Sequence, residues 1–161
     1  MVLAENWQDY TILATGDGYK LERWKDVTLL RPDPQVIWPM RQDLFARKDV
    51  DAVYRRSECG GGAWEYRRPI PAEWTVGYRD LTFKVKPMGF KHTGLFPEQA
   101  ANWDRMASLI RGAGRQVRVL NLFAYTGGAS VACAKSGAEV VHVDAAKGMV
   151  ERAGENARLS G

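Results

Sequence analysis

The sequence predicts an α/β chain in which a small antiparallel β module, residues 1–89, precedes the first βαβ unit of an open parallel sheet, residues 90–161. In the first part, short strand-like runs alternate with turns that contain Gly and Pro. In the second part, helical patterns alternate with short apolar runs, as in parallel sheets. The change of pattern near residue 90 marks the predicted boundary.

Turn residues delimit the strands of the first module. Residues 10–14 and 19–24 flank Gly16-Asp17-Gly18, as in a β-hairpin, and residues 27–30 form a third strand. Four further strand patterns follow, at residues 52–56, 63–67, 74–79 and 81–86. Residues 43–47 have a weak pattern that suggests a short helical turn.

A helix is predicted over residues 97–112 because its apolar residues recur at three and four positions. These residues are Ala100, Trp103, Met106, Ala107 and Ile110.

The βαβ unit begins with the apolar strand 117–122, which is expected to be covered on both faces. Thr126-Gly127-Gly128 supplies a turn in which the backbone can approach a ligand, and residues 129–136 form the helix that leaves it. A second strand spans 139–143. The following helix, 145–159, has an apolar face formed by Met149, Val150, Ala153 and Ala157.

The loop after the first strand favours one of three ligand classes. A phosphate-binding P-loop requires Lys after Gly, whereas Gly128 is followed by Ala129 and Ser130. A dinucleotide loop has the pattern G-x-G-x-x-G, which the loop with Phe123 and Tyr125 does not match. A nucleoside without pyrophosphate remains, and Asp144 at the end of the second strand could accept hydrogen bonds from its ribose hydroxyls.

Two segments resemble a known family. Residues 119–130, Val-Leu-Asn-Leu-Phe-Ala-Tyr-Thr-Gly-Gly-Ala-Ser, resemble motif I of class I S-adenosylmethionine-dependent methyltransferases, in the branch of bacterial 23S ribosomal-RNA methyltransferases. Residues 93–99, Thr-Gly-Leu-Phe-Pro-Glu-Gln, are similar to a segment that precedes the sheet in that branch. The resemblance implies a Rossmann-like domain of which this chain carries the start.

The resemblance also implies S-adenosylmethionine as cofactor and a base of ribosomal RNA as substrate. It places ten residues at the cofactor: Phe96, Gln99, Phe123, Ala124, Tyr125, Thr126, Gly127, Asp144, Ala145 and Ala146. The Asp-Pro-Pro-like segment that lies beside the methyl group in the branch is absent. Catalytic residues are therefore expected beyond Gly161, and this stretch by itself is expected to be inactive.

Several of these residues also permit a structural interpretation. Phe123 and Tyr125 could be core aromatics, and Asp144 could cap the following helix. Phe96 could serve only in packing, and Gln99 could be exposed on the first turn of a helix.

The first module is rich in tryptophan, with Trp7, Trp24, Trp38, Trp64 and Trp74 before residue 80. Together with Arg55, Arg56, Arg67, Arg68, Lys84 and Lys86, they could stack on and neutralise single-stranded RNA. We favour the alternative that the aromatic residues fill a small core. The net charge of +4 is too small to indicate nucleic-acid binding by itself. A second function class is therefore a non-catalytic RNA- or protein-binding β module with an incomplete cofactor half-site.

Cysteine and histidine usage excludes other site types. The two cysteines are far apart, and no signal peptide or long apolar segment is present, which favours a cytoplasmic protein. No metal site is predicted because only His92 and His142 accompany them and no Cys-x-x-Cys pair exists. Cys133 is expected to be a small buried residue, Cys59 lies in a probable turn, and His142 is expected to be packed.

Overall fold

The computed structural model describes residues 3–57 and 60–161 as an α/β chain with three α-helices among those residues. By packing, the chain forms two compact units. The N-terminal unit comprises Gln8–Val76 and Lys86–Thr93, and the C-terminal unit comprises the residues up to Trp7, Gly77–Val85 and Gly94–Gly161. Each unit combines segments that are separated in the sequence, so neither corresponds to one continuous range. The division into residues 1–89 and 90–161 stays a prediction.

A five-stranded sheet forms the framework of the N-terminal unit. Its strands follow chain order and are β1 (Tyr10–Gly16), β2 (Tyr19–Trp24), β3 (Val27–Pro32), β4 (Ala52–Arg56) and β5 (Gly62–Tyr66). The predicted hairpin of β1 and β2 is confirmed. The expectation of a wholly antiparallel module is wrong at one pair, because β3 and β4 are parallel. The long connection 33–51 provides the crossover that a parallel pair requires.

The helical turn predicted at residues 43–47 does not form. Asp43 Oδ1 instead accepts hydrogen bonds from the main-chain N–H groups of Phe45 (2.8 Å) and Ala46 (3.3 Å). Asp competes in this way with regular backbone structure and favours turns. Leu44 in this segment is nevertheless buried, with Leu21, Leu30, Val50 and Val53, in the core of the unit.

A charged pair is also buried in the N-terminal unit. Arg31 Nε lies 2.6 Å from Glu22 Oε2, and Tyr10 donates a hydrogen bond to Glu22 Oε1 at 2.6 Å. Burial acts to raise the pKa of Glu22, but the Arg31 guanidinium, Lys20 Nζ at 3.4 Å and the Tyr10 hydroxyl together outweigh it, so this pKa lies below its usual value. Such a pair requires both partners, since a lone buried charge is costly.

Two small sheets and three helices make up the rest of the chain. They are β6 (Trp74–Tyr78), β7 (Leu81–Val85), a 3₁₀ turn (Pro97–Gln99), α1 (Ala100–Arg111), β8 (Arg118–Leu122), α2 (Gly128–Lys135), β9 (Glu139–Val143) and α3 (Lys147–Ser160). Strand β6 pairs with β7, and β8 pairs with β9 in parallel. The predicted strand–helix–strand unit is thereby confirmed. Among the described helices, none has the length and apolar character needed to cross a membrane.

The expectation that the strand 117–122 is covered on both faces is wrong for β8, and β9 is likewise packed on one face only. Leu120, Leu122, Val141 and Val143 are exposed, whereas the residues between them are half-buried. The parallel register places Leu120 opposite Val141 and Leu122 opposite Val143, so the exposed residues share one face. In these strands the side chains alternate between faces, and one face only is packed.

The buried face of helix α3 matches the predicted one only at Ala153. Val150 and Ala157 are exposed, and the buried residues are Ala153, Asn156 and Ser160. The polar members of this face satisfy main-chain groups of β7. Asn156 Oδ1 accepts from Lys84 N at 2.9 Å, and Ser160 Oγ both accepts from Thr82 N and donates to Thr82 O. A buried strand edge needs such partners.

Candidate nucleoside-binding site

The loop that joins β8 to α2, residues 123–127, has an uncommon backbone conformation. Phe123, Tyr125 and Gly127 have φ values of 53°, 52° and 86°. Residues other than Gly rarely adopt this left-handed region. Two hydrogen bonds hold the loop in place, from Ala124 N to Val143 O (3.1 Å) and from Gly127 N to Ala124 O (3.0 Å). The loop therefore lies at the carboxyl end of both strands, where open α/β sheets bind ligands.

Asp144 joins this loop to the segment that follows β9. Its Oδ2 accepts a hydrogen bond from Tyr125 N at 2.8 Å, and its Oδ1 accepts one from Ala146 N at 2.9 Å. These bonds from Ala146 and Tyr125 hold the pKa of the Asp144 carboxyl below its usual value. The alternative that Asp144 caps α3 is wrong, because the N-cap of α3 is Ala146.

The Asp144 carboxylate keeps the capacity to bind a ligand. An ionised carboxylate offers about four acceptor positions, and the two main-chain N–H groups occupy two of them. Ala145 and Ala146 beside it are both exposed. The arrangement thus presents charged acceptors next to a short exposed stretch without bulky side chains.

Two aromatic residues of the predicted site contact each other. The ring centroids of Phe96 and Tyr125 are 5.2 Å apart, with an angle of 38° between the rings. Phe96 therefore has the packing role that was the alternative, although its ring remains partly exposed. Phe123 is 92% exposed, which excludes the core interpretation for that residue. Gln99 is exposed, and its Oε1 accepts a hydrogen bond from Asn102 Nδ2 at 2.9 Å.

Thr126 links buried segments of the C-terminal unit. Its side chain is buried and donates a hydrogen bond from Oγ1 to Gly94 O at 2.5 Å. Its carbonyl oxygen accepts a hydrogen bond from Asn156 Nδ2 at 2.9 Å. Ala124 is buried as well. Thr126 and Ala124 therefore stabilise the loop on its buried side. The bond from the Thr126 hydroxyl to Gly94 O is sufficient to explain why a threonine stands at this position.

The paired glycines have a structural reason that the sequence did not reveal. A Cβ on Gly127 would lie 2.8 Å from Ala153 Cβ, and a Cβ on Gly128 would lie 2.6 Å from Trp103 Cζ2. Both distances are far below van der Waals contact, so the glycines allow α3 and α1 to pack closely on the loop. Sequence reasoning had assigned their small size to the approach of a ligand.

A polar network beneath the loop was also missed. Asn121 Nδ2 donates to Ser130 Oγ at 2.9 Å, and Ser130 Oγ lies 2.9 Å from His142 Nδ1. Asn121 and His142 are opposite each other in the β8–β9 register. Each is the polar residue of an otherwise apolar strand core, and this is the sequence signal that could have indicated their contact. His142 Nε2 is buried without a hydrogen-bond partner among the described residues. The network connects both strands to α2 and agrees with the expected packed role of His142.

Cysteine and metal chemistry receive no support in the described part of the chain. Cys133 is buried, as predicted, and burial raises the pKa of its thiol. Cys59 lies outside the described residues. No group of three His, Cys, Asp or Glu side chains in ranges 3–57 and 60–161 could hold a metal ion.

The chemistry of these residues matches what a nucleoside requires. Asp144 presents charged acceptors, the kind of group that ribose hydroxyls need, and the side chains of the exposed Ala145 and Ala146 are small. The loop 123–128 contains no Lys or Arg that would pair with phosphate. The site is therefore better suited to a nucleoside than to a nucleotide.

Comparisons with known proteins agree with this chemistry. The family model described as S-adenosylmethionine-dependent methyltransferase matches residues 46–161. A Methanocaldococcus jannaschii protein, provisionally named a ribosomal RNA large subunit methyltransferase, is 42% identical over 120 residues, which are 73% of this chain and 30% of that protein. The 23S rRNA (uracil(1939)-C(5))-methyltransferase RlmD of Xylella fastidiosa is 33% identical over 123 residues, covering 73% of this chain and 26% of its own length.

A solved structure has the same fold over nearly the whole chain. It is the SAM-dependent methyltransferase of Agrobacterium tumefaciens, with a TM-score of 0.87 and 34% sequence identity. The match covers 96% of this chain and 50% of that one. The chain thus spans half the length of this solved relative and less than a third of the two curated ones.

Proposed function

Because the chain belongs to the S-adenosylmethionine-dependent methyltransferase family, we propose that it binds S-adenosylmethionine at the loop 123–127 and Asp144. The observation that carries the proposal is the Asp144 carboxylate at the carboxyl end of β9, fixed by two main-chain N–H groups and still able to accept further hydrogen bonds. We assign to it the two ribose hydroxyls, since a charged acceptor binds such donors more strongly than a neutral one.

The other predicted residues have supporting roles in this proposal. The exposed main chain at Ala145 and Ala146 borders the base, and the loop from Phe123 to Gly127 faces the methionine end. The ring of Phe96, which contacts Tyr125, borders the proposed site from the segment before α1. Gln99 is near it in sequence and keeps its amide N–H groups for the ligand, since its Oε1 is occupied by Asn102.

The cofactor, when bound, supplies an activated methyl group whose sulfonium is the leaving group. The described residues would contribute by binding and orientation, because transfer requires the acceptor atom in line with the methyl group. Cys133 is not a nucleophile for carbon methylation, since burial raises the pKa of its thiol and a buried thiol is inert.

For the substrate we propose a base in RNA of the large ribosomal subunit. The support is that two of its relatives are named as methyltransferases of that RNA. A cytoplasmic location is consistent with this substrate and belongs to the same proposal.

The cofactor assignment can be tested on the chain by titration with S-adenosylhomocysteine, followed through amide chemical shifts. We expect the amides of Tyr125 and Ala146 to shift, because both donate to Asp144. Asp144→Ala should weaken the affinity about 5- to 100-fold through loss of charged hydrogen bonds. Glu139→Ala is the matched control, since Glu139 is an exposed carboxylate at the other end of the same strand. Absence of shifts at millimolar ligand, or equal affinity of the Asp144→Ala variant, would contradict the proposal.

A further inference from the structure

A second cleft lies within the N-terminal unit, after the last strand of its sheet. It has a volume of about 500 Å³ and is lined by Tyr66, Arg67, Arg68, Ile70, Pro71 and Pro87, among others. We call it the Tyr66 cleft. Its size is within the range of small-ligand sites, which hold roughly 300 to 1,000 Å³. The cofactor proposal makes no use of it.

An aromatic ring is available on the wall of this cleft. Tyr66 is the last residue of the edge strand β5, and its side chain is 57% exposed. Of the tryptophans considered as stacking residues, Trp24 is fully buried, and the indoles of Trp64 and Trp74 donate to the carbonyls of Met88 and Trp24. Trp38 is 49% exposed but does not line this cleft. A half-exposed ring at the end of a strand can stack on a nucleic-acid base.

Two arginines beside the ring are held in position by contacts away from the cleft. Arg67 Nη1 donates to Phe45 O at 2.8 Å, and Arg67 Nε lies 3.4 Å from Glu65 Oε1. Arg68 Nη1 lies 3.4 Å from Asp51 Oδ1. Since a guanidinium has five N–H donors, each side chain retains donors for an anion. No carboxylate is found among the described residues that line the cleft. The described lining therefore contains two cationic side chains and no carboxylate, while Glu65 and Asp51 pair with these arginines from outside the lining.

The rest of the wall is apolar and rigid. Pro69, Pro71 and Pro87 have a restricted φ and lack a main-chain N–H, and Ile70 lies between the first two. A peptide added as a β-strand would require main-chain N–H groups along this wall, and its three prolines have none. A base, in contrast, can lie against an apolar wall while its phosphates contact arginine.

From these features we propose that the Tyr66 cleft binds single-stranded RNA, with one base stacked on Tyr66 and the adjacent phosphates contacted by Arg67 and Arg68. The inference rests on the proposed function in that it takes the partner to be RNA. It adds a separate anchoring surface for the substrate, on residues that are distant in sequence from the cofactor loop.

Fluorescence anisotropy with a labelled oligoribonucleotide of about ten nucleotides, near the usual size of single-strand sites, tests the proposal. Tyr66→Ala should weaken binding about 5- to 100-fold, the usual range for loss of one stacked base, while Tyr66→Phe should bind within about twofold of the unchanged chain. Arg68→Gln should weaken binding and reduce the slope of log affinity against log salt by about one. Phe90→Ala is the control, because Phe90 is 68% exposed in the same unit but does not line the cleft.

The proposal is overturned if the chain does not bind the oligonucleotide at low salt, or if Phe90→Ala reduces affinity as much as Tyr66→Ala. Because Tyr66 is exposed, circular dichroism should show an unchanged fold in its variants. Titration with S-adenosylhomocysteine separates the two proposals. RNA binding that depends on Tyr66 without any cofactor binding would refute the cofactor site alone, and the reverse result would refute the Tyr66 cleft alone.

Discussion

Asp144 accepts a hydrogen bond from the main-chain N–H of Tyr125 across 2.8 Å, and this bond joins the loop after β8 to the end of β9. Tyr125 has a φ of 52°, a conformation that costs free energy in any residue except Gly. The carboxylate thus stabilises the unusual conformation of the loop and also remains available to a ligand. Both roles depend on its ionisation.

A pH titration should show this dependence. The bonds from Ala146 and Tyr125 lower the pKa of Asp144 in the folded chain, so their contribution is complete above the ordinary Asp pKa of about 3.9. It should be lost as the pH falls through the lowered value. We expect the Tyr125 and Ala146 amide resonances to move together in that acid range. Asp144→Asn should abolish the movement, and a titration at or above the ordinary pKa would contradict the assignment.

Gly128→Ala should destabilise the chain. The new methyl group would lie 2.6 Å from Trp103 Cζ2, and Trp103 is buried in the C-terminal unit. Overpacking of this kind costs about 1 to 3 kcal/mol. Urea denaturation measures the free energy of unfolding.

Gly148→Ala is the matched control for that substitution, since no atom lies within 4 Å of the position of its Cβ in α3. It should be neutral or stabilise the helix by up to about 1 kcal/mol. Equal effects of the two substitutions would show that packing on Trp103 is not the reason for Gly128.

Asn156→Ala should loosen the attachment of α3. The variant leaves the Lys84 N–H and the Thr126 carbonyl without their partner. An unsatisfied buried group costs about 1 to 3 kcal/mol. Hydrogen exchange should show faster exchange of the Lys84 amide. Asn102→Ala, an exposed Asn on α1, should leave that amide unchanged, and protection retained in Asn156→Ala would contradict the interpretation.

The buried pair of Glu22 and Arg31 should make stability depend on acid pH. Interaction with Arg31 overcomes burial and holds the folded pKa of Glu22 below 4.5, so the stabilisation is present above the unfolded pKa and is lost as the pH falls through the folded value. In Glu22→Gln, the urea concentration at the midpoint of unfolding should depend less on pH in that range. An unchanged slope would exclude Glu22 as the source.

Removal of Arg31, the main partner of Glu22, should lower the free energy of unfolding at neutral pH. Arg31→Met leaves the buried Glu22 carboxylate with only Lys20 Nζ, 3.4 Å from Oε1, as its cation. Loss of one partner of a buried pair costs at most about 3 to 5 kcal/mol, and Lys20 should keep the loss toward the lower end. Arg47→Ala breaks the exposed pair with Asp49 and should cost no more than about 1 kcal/mol. Similar losses in both variants would show that burial of the pair is not important.

Local patterns were sufficient for most of the secondary structure. Strands β4 and β9 have the predicted bounds, and α1 buries Ala100, Trp103 and Ala107 as its spacing predicted. These features depend on residues close in sequence, where turn chemistry and side-chain periodicity act directly. The prediction of a helical turn at residues 43–47 is wrong for a local reason as well, because the Asp43 side chain accepts the main-chain hydrogen bond of Phe45.

Long-range partners could not be deduced in the same way. The parallel pairing of β3 and β4 depends on how the connection 33–51 crosses the sheet, and no local signal specifies it. The buried face of α3 contains Asn156 and Ser160 because β7 presents main-chain groups to it. A hydrophobic pattern cannot identify a buried polar residue whose partner lies more than 70 positions away.

The sequence alone was enough to identify the strand–loop–strand unit, the family it resembles and Asp144 as its acid, since these are matters of residue type and order. Packing in three dimensions assigned the roles within that unit. It showed that Gly127 and Gly128 accommodate Ala153 and Trp103, that Thr126 supports the loop from behind, and that Asp144 bonds Tyr125. These roles depend on contacts between residues far apart in the chain, and such contacts exist only when the backbone has folded.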